Sequence, residues 1–169
     1  MSILSLSDFN AGKYELHRGM YDSAKFQNYI DIFEKRYLIQ LLGVALYNEF
    51  DADLIAGGGT PTEQRFIDIF DELNFDYAFC IYQSEGIKEM LKGFIYYEIV
   101  CDEINQMTPV GNVLPQGENS ERATTLYTTL YSRYNMAVKT FEAIQKHIWI
   151  NRDQYENFNG KPKGFAYWI

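Results

Sequence analysis

Few residues in this chain are suited to chemistry, and their spacing matches no catalytic pattern. The two histidines are His17 and His147. A helical di-iron site requires a Glu-x-x-His spacing, but Tyr14 and Ile144 stand three residues before them. Ser84 lies in the sequence Gln-Ser-Glu-Gly, and a role as a helix N-cap explains it better than a role as a nucleophile. The sequence therefore predicts no catalytic residue, no metal site and no cofactor, and the chain is predicted not to be an enzyme.

Acidic side chains are numerous, and two of them could in principle pair as a general acid and a base. Nothing in their spacing places two of them together in the interior, so solvated helix faces are the simpler interpretation. The candidates are Asp68, Asp71, Glu72, Glu98, Asp102 and Glu103. The glycine run at 57–59 lacks the lysine of a phosphate loop and is predicted to connect two helices. Cys80 and Cys101 stand in no metal-binding spacing, and each is predicted to be a small buried hydrophobic residue.

The composition sets limits on the class of protein. The 169 residues, 47% of them hydrophobic, predict one globular domain, with or without a tail. The net charge of −8 argues against general, sequence-independent binding of nucleic acid. No apolar run approaches the ~20 residues of a membrane span, residues 1–12 lack a secretory signal pattern, and the cysteine usage suits a reducing cytoplasm. Aromatic residues reach 17%, which fits either an aromatic core or aromatic interfaces.

Apolar residues at three- and four-residue spacing predict an all-α fold, a bundle of about four to five helices with a long C-terminal helix. The first helix begins after Asp22 or Ser23. Gly43 either ends this helix, with a second beginning after it, or lets two helices pack closely. The last helix begins after Asn119 or Ser120. Residues 74–83 alternate in polarity and are predicted to be extended, with no obvious pairing partner. Gly93, inside the fourth helix, indicates close helix packing.

The last helix carries a heptad-like apolar seam, which packs inside its own bundle or against a neighbouring subunit. The seam and the apolar faces of the other helices form the predicted core: Phe33, Tyr37, Leu41, Leu42, Leu46, Leu91, Phe94, Tyr127, Leu130, Tyr134, Phe141, Ile144 and Ile148.

Three segments are predicted to be non-helical. Residues 1–21 form an extended N-terminal arm on a helical domain of residues 1–157. Residues 106–119, with two prolines and two glycines, form an extended loop or hairpin that offers Val110, Val113 and Leu114 to a neighbour. Residues 158–169 form an aromatic C-terminal tail that can reach a partner, docking on its own subunit being the alternative. The candidate contacts in the tail are Phe165, Tyr167, Trp168 and Ile169.

Four stretches carry a resemblance to a known family. Residues 29–50 read YIDIFEKRYLIQLLGVALYNEF. Residues 84–96, 108–123 and 131–138 follow it along the chain. In order and spacing, these stretches resemble the head–tail connector (adaptor) proteins of tailed bacteriophages, especially those that infect Bacteroidetes. The resemblance spans most of residues 29–150 and leaves out both termini.

The resemblance implies a virion structural protein without catalysis, made in the cytoplasm of the bacterial host. Such a protein forms a homo-oligomeric ring, commonly a dodecamer, that joins the portal protein to other head–tail connector or tail proteins. DNA passes through its channel without specific binding, and no membrane is involved. The residues themselves leave two alternatives open. One is a small helical binding module that acts on a host or phage partner, and the other is a helical-bundle enzyme.

Overall fold

The described part of the chain contains five helices and two small hairpins, together with an N-terminal segment and a C-terminal tail. The computed structural model describes residues 2–16, 22–104, 106–108, 111–113 and 126–166, with the backbone alone at 103–104, 106–108, 111–113 and 126–127. The helices are α1 Ser23–Leu42, α2 Val44–Ala56, α3 Gln64–Phe70, α4 Gly86–Ile104 and α5 Leu126–Ile150. The hairpins pair β1 Leu73–Tyr77 with β2 Cys80–Ser84, and β3 Gln106–Thr108 with β4 Gly111–Val113. A mostly helical fold is confirmed, but the hairpins mean that it is not strictly all-α.

The first two helices begin and end where their sequence signals predict. The Asp22 carboxylate accepts a hydrogen bond from the Ala24 backbone N–H at 2.9 Å, which caps α1. Gly43 ends α1 with a φ of +81°, a conformation that favours glycine, and α2 begins at the next residue.

Ser84 ends β2, and its hydroxyl accepts from the Gly86 N–H at the start of α4 at 3.1 Å. The predicted caps of the last helix, Asn119 and Ser120, lie outside the described residues.

The core lies between α1, α4 and α5. Phe94 on α4 contacts Tyr37 on α1 and Phe141 on α5, with ring centroids 4.5 Å and 6.1 Å away. A Cβ at Gly93 would lie 2.7 Å from the Ala137 Cβ, which confirms the close packing predicted there. The structure thus packs the described part of the α5 seam inside its own bundle. Of the predicted core, ten residues are buried: Tyr37, Leu41, Leu42, Leu46, Leu91, Phe94, Leu130, Phe141, Ile144 and Ile148. Phe33 and Tyr134 are partly buried against them, and the side chain of Tyr127 lies outside the described part.

The first hairpin explains the extended pattern at 74–83. Its two strands pair antiparallel, from Leu73 with Ser84 to Tyr77 with Cys80, so the segment is its own partner. The second hairpin lies inside the segment 106–119, in agreement with the extended loop or hairpin predicted there. Val110 and Leu114 lie outside the described residues, as does the side chain of Val113.

The N-terminal segment is part of the core, so the extended arm predicted for residues 1–21 is wrong over its described part. Phe9 is fully buried, with its ring 5.0 Å from that of Phe26 on α1. The buried carboxylate of Glu34 accepts from the N–H groups of Ile3 and Leu4 at 2.9 Å and 3.0 Å. Short 3-10 turns at Leu6–Phe9 and Gly12–Tyr14 bring further apolar residues inward. The buried ones are Leu4, Phe9, Tyr14 and Leu16.

Candidate functional site

The tip of the first hairpin is strained and apolar. Its two turn residues, Ala78 and Phe79, have φ values of +50° and +65°. Such a turn normally uses Asn-Gly, because a left-handed conformation costs other residues about 1–2 kcal/mol. The side chain of Phe79 is fully exposed and that of Ile81 is 76% exposed. Strain that supports an exposed apolar side chain is typical of a functional contact. We refer to Ala78, Phe79 and Ile81 as the hairpin tip.

The base of the same hairpin is fixed on α5. Phe75 stacks on Tyr82 across the strands at 5.2 Å and meets the edge of the His147 ring at 5.7 Å. Burial lowers the pKa of His147, so the ring is neutral at neutral pH and packs as an aromatic. The Lys146 ammonium lies 4.2 Å from the centroid of Tyr77. These contacts hold the strands to the bundle, so the tip is a projecting element on a rigid base.

The apolar surface continues from the hairpin onto the C-terminal end of α5. Trp149 meets the edge of the Tyr77 ring at 6.2 Å and is half exposed, and the exposed Ile150 follows it. Cys80, beside the tip, is also exposed, so the prediction that it is buried is wrong. Cys101 is partly buried on α4, and burial raises the pKa of its thiol.

A second surface is formed where the C-terminal tail meets the end of α1. The last carbonyl groups of a helix have no partners within the helix, and α1 ends at Gly43. The backbone N–H of Asn159 donates to the Leu42 carbonyl at 3.2 Å. The N–H of Lys161 donates to the Gln40 carbonyl at 2.8 Å. The tail therefore completes α1 by supplying hydrogen-bond donors for its last turn.

Gln145 on α5 holds the tail from the other side. Its side-chain amide donates to the Leu41 carbonyl at 3.0 Å and to the Lys161 carbonyl at 3.2 Å. The tail approaches so closely here that a Cβ at Gly160 would lie 2.0 Å from the Leu41 oxygen. Only glycine fits at this position.

Lys163 fills an aromatic cage. Its ammonium lies 4.2 Å from the ring centroid of Tyr37, 4.8 Å from that of Phe94 and 5.7 Å from that of Tyr134. Ammonium groups are attracted to the faces of aromatic rings. The Tyr37 hydroxyl donates to the carboxylate of Glu98, and burial together with this acid raises the pKa of Tyr37. Burial lowers the pKa of Lys163, and Glu98 opposes that effect.

The described tail ends in a two-point clamp. Asn135 on α5 donates to the Ala166 carbonyl at 3.0 Å and accepts from the Ala166 N–H at 2.9 Å. Phe165 is partly buried against the bundle. The tail thus docks on its own subunit as far as Ala166, which was the alternative in the sequence prediction. Tyr167, Trp168 and Ile169 lie outside the described residues. We call the surface that receives residues 159–166 the tail groove.

Two of the candidate carboxylates, Glu98 and Asp102, form structural contacts between helices. Glu98 accepts from Tyr37, and Asp102 accepts from the hydroxyl of Tyr29. Neither pair can be recognised from the sequence, because the tyrosine lies on α1 and the acid on α4. Among the described residues, no group of three or more His, Cys, Asp or Glu side chains is arranged to hold a metal ion. Within the same residues, no helix combines the length and the apolar character needed to cross a membrane.

No family model, no curated protein and no solved structure matches this chain. The features that bear on function are therefore the two surfaces just described and the sequence pattern of residues 29–150.

Proposed function

We propose that this chain is a virion structural protein, a subunit of a head–tail connector ring of a tailed bacteriophage. In this proposal, copies of the chain form a ring, commonly twelve-fold, between the portal protein and the next tail component. The ring extends the DNA channel and catalyses no reaction.

The observation that carries the proposal is the hairpin tip. A ring requires a heterologous interface, in which one patch of each copy meets a different patch of the next copy. A rigidly mounted, fully exposed Phe79 beside Ile81 is suited to insert into a neighbour. Burying such side chains contributes about 1.5–3 kcal/mol each. The same contact, repeated around a closed ring, gives a stable assembly from individually weak interfaces.

Two further properties are consistent with a connector. The net charge of −8 means that a channel wall built from this chain can be acidic, which repels DNA phosphates and lets the genome slide. The chain between α4 and α5, which includes the second hairpin, is long enough to serve as an additional contact with a neighbour.

The test is the size of the particle that the chain forms with the portal protein of the same phage. Light scattering and electron microscopy of the mixture are expected to show a ring of many copies around a central channel. Phe79→Ser with Ile81→Ser should abolish the ring and leave a folded monomer. Gln83→Ser is the matched control, since Gln83 is exposed on the same hairpin but is polar already. A complex of one copy with one partner would contradict the proposal and favour a binding module.

A further inference from the structure

A groove on the surface of the bundle is formed by α5 and the docked tail. It lies between residues 128–139 of α5 and residues 165–166 of the tail, and its volume is about 500 Å³. Pockets of about 300–1,000 Å³ hold small ligands in other proteins, so an aromatic side chain and an aliphatic neighbour fit a space of this size. We call this surface the acceptor groove.

The walls of the acceptor groove are apolar and held in place. Met136 is 39% exposed on α5, and Phe165 is partly buried on the side of the tail. The two hydrogen bonds between Asn135 and Ala166 fix the tail here. A rigid groove loses little conformational entropy when it binds an apolar side chain. The tail, docked on its own subunit, therefore builds one wall of a preformed site.

The hairpin tip and the acceptor groove carry opposite charges. Asp76 pairs with Ile81 across the hairpin, so its exposed carboxylate lies on the same face as that apolar side chain. Lys139 is the one charged side chain among the described residues that line the groove. Around them, residues 71–85 include acidic residues and no basic one, whereas residues 128–139 include basic residues and no acidic one. Charge thus favours a tip in a groove over two tips or two grooves together.

The hairpin is too short to reach the acceptor groove of its own copy. Its base is held at the C-terminal end of α5, where Tyr77 contacts Trp149. Met136 lies thirteen residues earlier in the chain, which is about 20 Å along the helix. Phe79 is two residues beyond Tyr77, and two residues of a strand span only about 7 Å. The tip and the groove of one copy therefore face different neighbours, as a heterologous interface requires.

We propose that, in the assembled ring, Phe79 and Ile81 of each copy insert into the acceptor groove of the adjacent copy, with Asp76 facing Lys139 at its rim. This inference rests on the ring proposed above and names the surface that receives the hairpin tip. Each copy then offers one tip and one groove, so that the same contact repeats around the ring.

The first test is cross-linking through the native Cys80, which is exposed beside the tip. Met136→Cys supplies a second thiol in the groove. The variant is assembled with the portal protein and treated with a short bis-maleimide, which joins two thiols. A denaturing gel is expected to show a ladder of linked multimers, because each copy is joined to two neighbours. Cys80→Ser should abolish the ladder.

Ile32→Cys is the matched control for the new thiol. Ile32 is exposed on α1 and belongs to neither the tip nor the groove. The yield of linked multimers should be at least about tenfold lower than with Met136→Cys, since it follows the effective concentration of the two thiols. Mass spectrometry of the digested ladder should identify links between residue 80 of one chain and position 136 of another.

The outcomes separate the two proposals. Rings in which position 136 is linked to the portal protein alone, or to nothing, would overturn the inference and leave the connector intact. A ladder without a ring would support the contact between tip and groove and reject only the connector. A one-to-one complex with the portal protein and no ladder would reject both.

A charge exchange tests the same contact without a new thiol. Asp76→Lys and Lys139→Asp each bring like charges together, so each should raise the chain concentration needed for ring formation about tenfold. The double variant should recover to within about threefold of the unmodified protein. Glu72→Lys, at an exposed acid just before β1, is the control and should not recover assembly when combined with Lys139→Asp. Light scattering measures ring formation, and a double variant no better than the single ones would overturn the inference.

Discussion

At the scale of single residues, Phe79 combines two unfavourable properties in one position. It is a large apolar side chain in water, and its backbone has a φ that favours glycine. Replacing Ala78 and Phe79 by Asn and Gly, which suit this turn, should therefore raise the free energy of unfolding by about 1–2 kcal/mol. Urea denaturation measures the gain.

The same substitution should prevent assembly with the portal protein, because it removes the apolar tip. A variant that is more stable and still forms rings would show that the hairpin tip is not an interface. A variant that is less stable would show that the turn is held by contacts other than its own conformation.

Asp53 gives a prediction for pH. Its buried carboxylate accepts from the N–H groups of Thr62 and Glu63 at 2.7 Å and 3.2 Å, and so connects α2 to the start of α3. Burial alone raises the pKa of Asp53, but these hydrogen bonds, together with the Thr62 hydroxyl and Arg65, hold it below the ordinary 3.8. A lowered folded-state pKa contributes stability that is present above pH 3.8 and is lost as the pH falls through the folded-state pKa.

Asp53→Asn should therefore lower the free energy of unfolding at pH 7 by about 0.5–2 kcal/mol, the range for lost helix caps. The difference in free energy of unfolding between the variant and the unmodified protein should shrink as the pH falls below 3.8, the ordinary pKa of this carboxyl group. Denaturation curves at neutral and acidic pH test this expectation, and an equal gap at both would mean that the Asp53 charge does not stabilise the connection.

At the scale of elements, the sequence was most informative for the helices. The apolar spacing of α1 and its two terminal signals, Asp22 and Gly43, are local, so they can be read without the fold. The first hairpin was only partly predictable. Alternation indicates an extended segment, but Ala78-Phe79 is not a turn sequence, and the strain that allows it is visible only in the backbone.

The sequence left open where the tail docks, and the contacts that hold it could not be predicted, because they involve carbonyls that lie more than a hundred residues away in the sequence. Gly160, Pro162 and Gly164 look alike as breaks in helical structure. In the fold, Gly160 packs against the end of α1, whereas Gly164 faces open space. Local sequence carries no signal that separates the two glycines.

The different surroundings of Gly160 and Gly164 predict how trypsin cleaves variants of the tail. Trypsin cleaves after lysine unless proline follows, so in the tail it should cleave at Lys163–Gly164 and spare Lys161–Pro162. Gly160→Ala should speed cleavage at Lys163 by about tenfold or more, since the rate follows the population of undocked tail. Gly164→Ala should leave it nearly unchanged. Equal rates in the two variants would mean that the tail is not held at Gly160.

At the scale of the whole molecule, the position of the N-terminal segment differs from the one predicted from the sequence. Residues 1–21 are mixed in character and include Gly12 and Gly19, which predicts an extended arm. The structure places Phe9 against Phe26 and ties Ile3 and Leu4 to the buried Glu34, so the first residues share one core with the bundle.

A single shared core predicts a single unfolding transition. Phe9 and Phe141 are both fully buried, although one lies in the N-terminal segment and the other in α5. Truncating either to Ala should cost about 3–5 kcal/mol, which corresponds to roughly 10 °C in Tm. Calorimetry should show one transition, shifted to a similar extent by Phe9→Ala and Phe141→Ala and unchanged by the exposed control Phe79→Ala. If Phe9→Ala instead produces a separate early transition, the N-terminal segment is an arm that docks on an independently folded bundle.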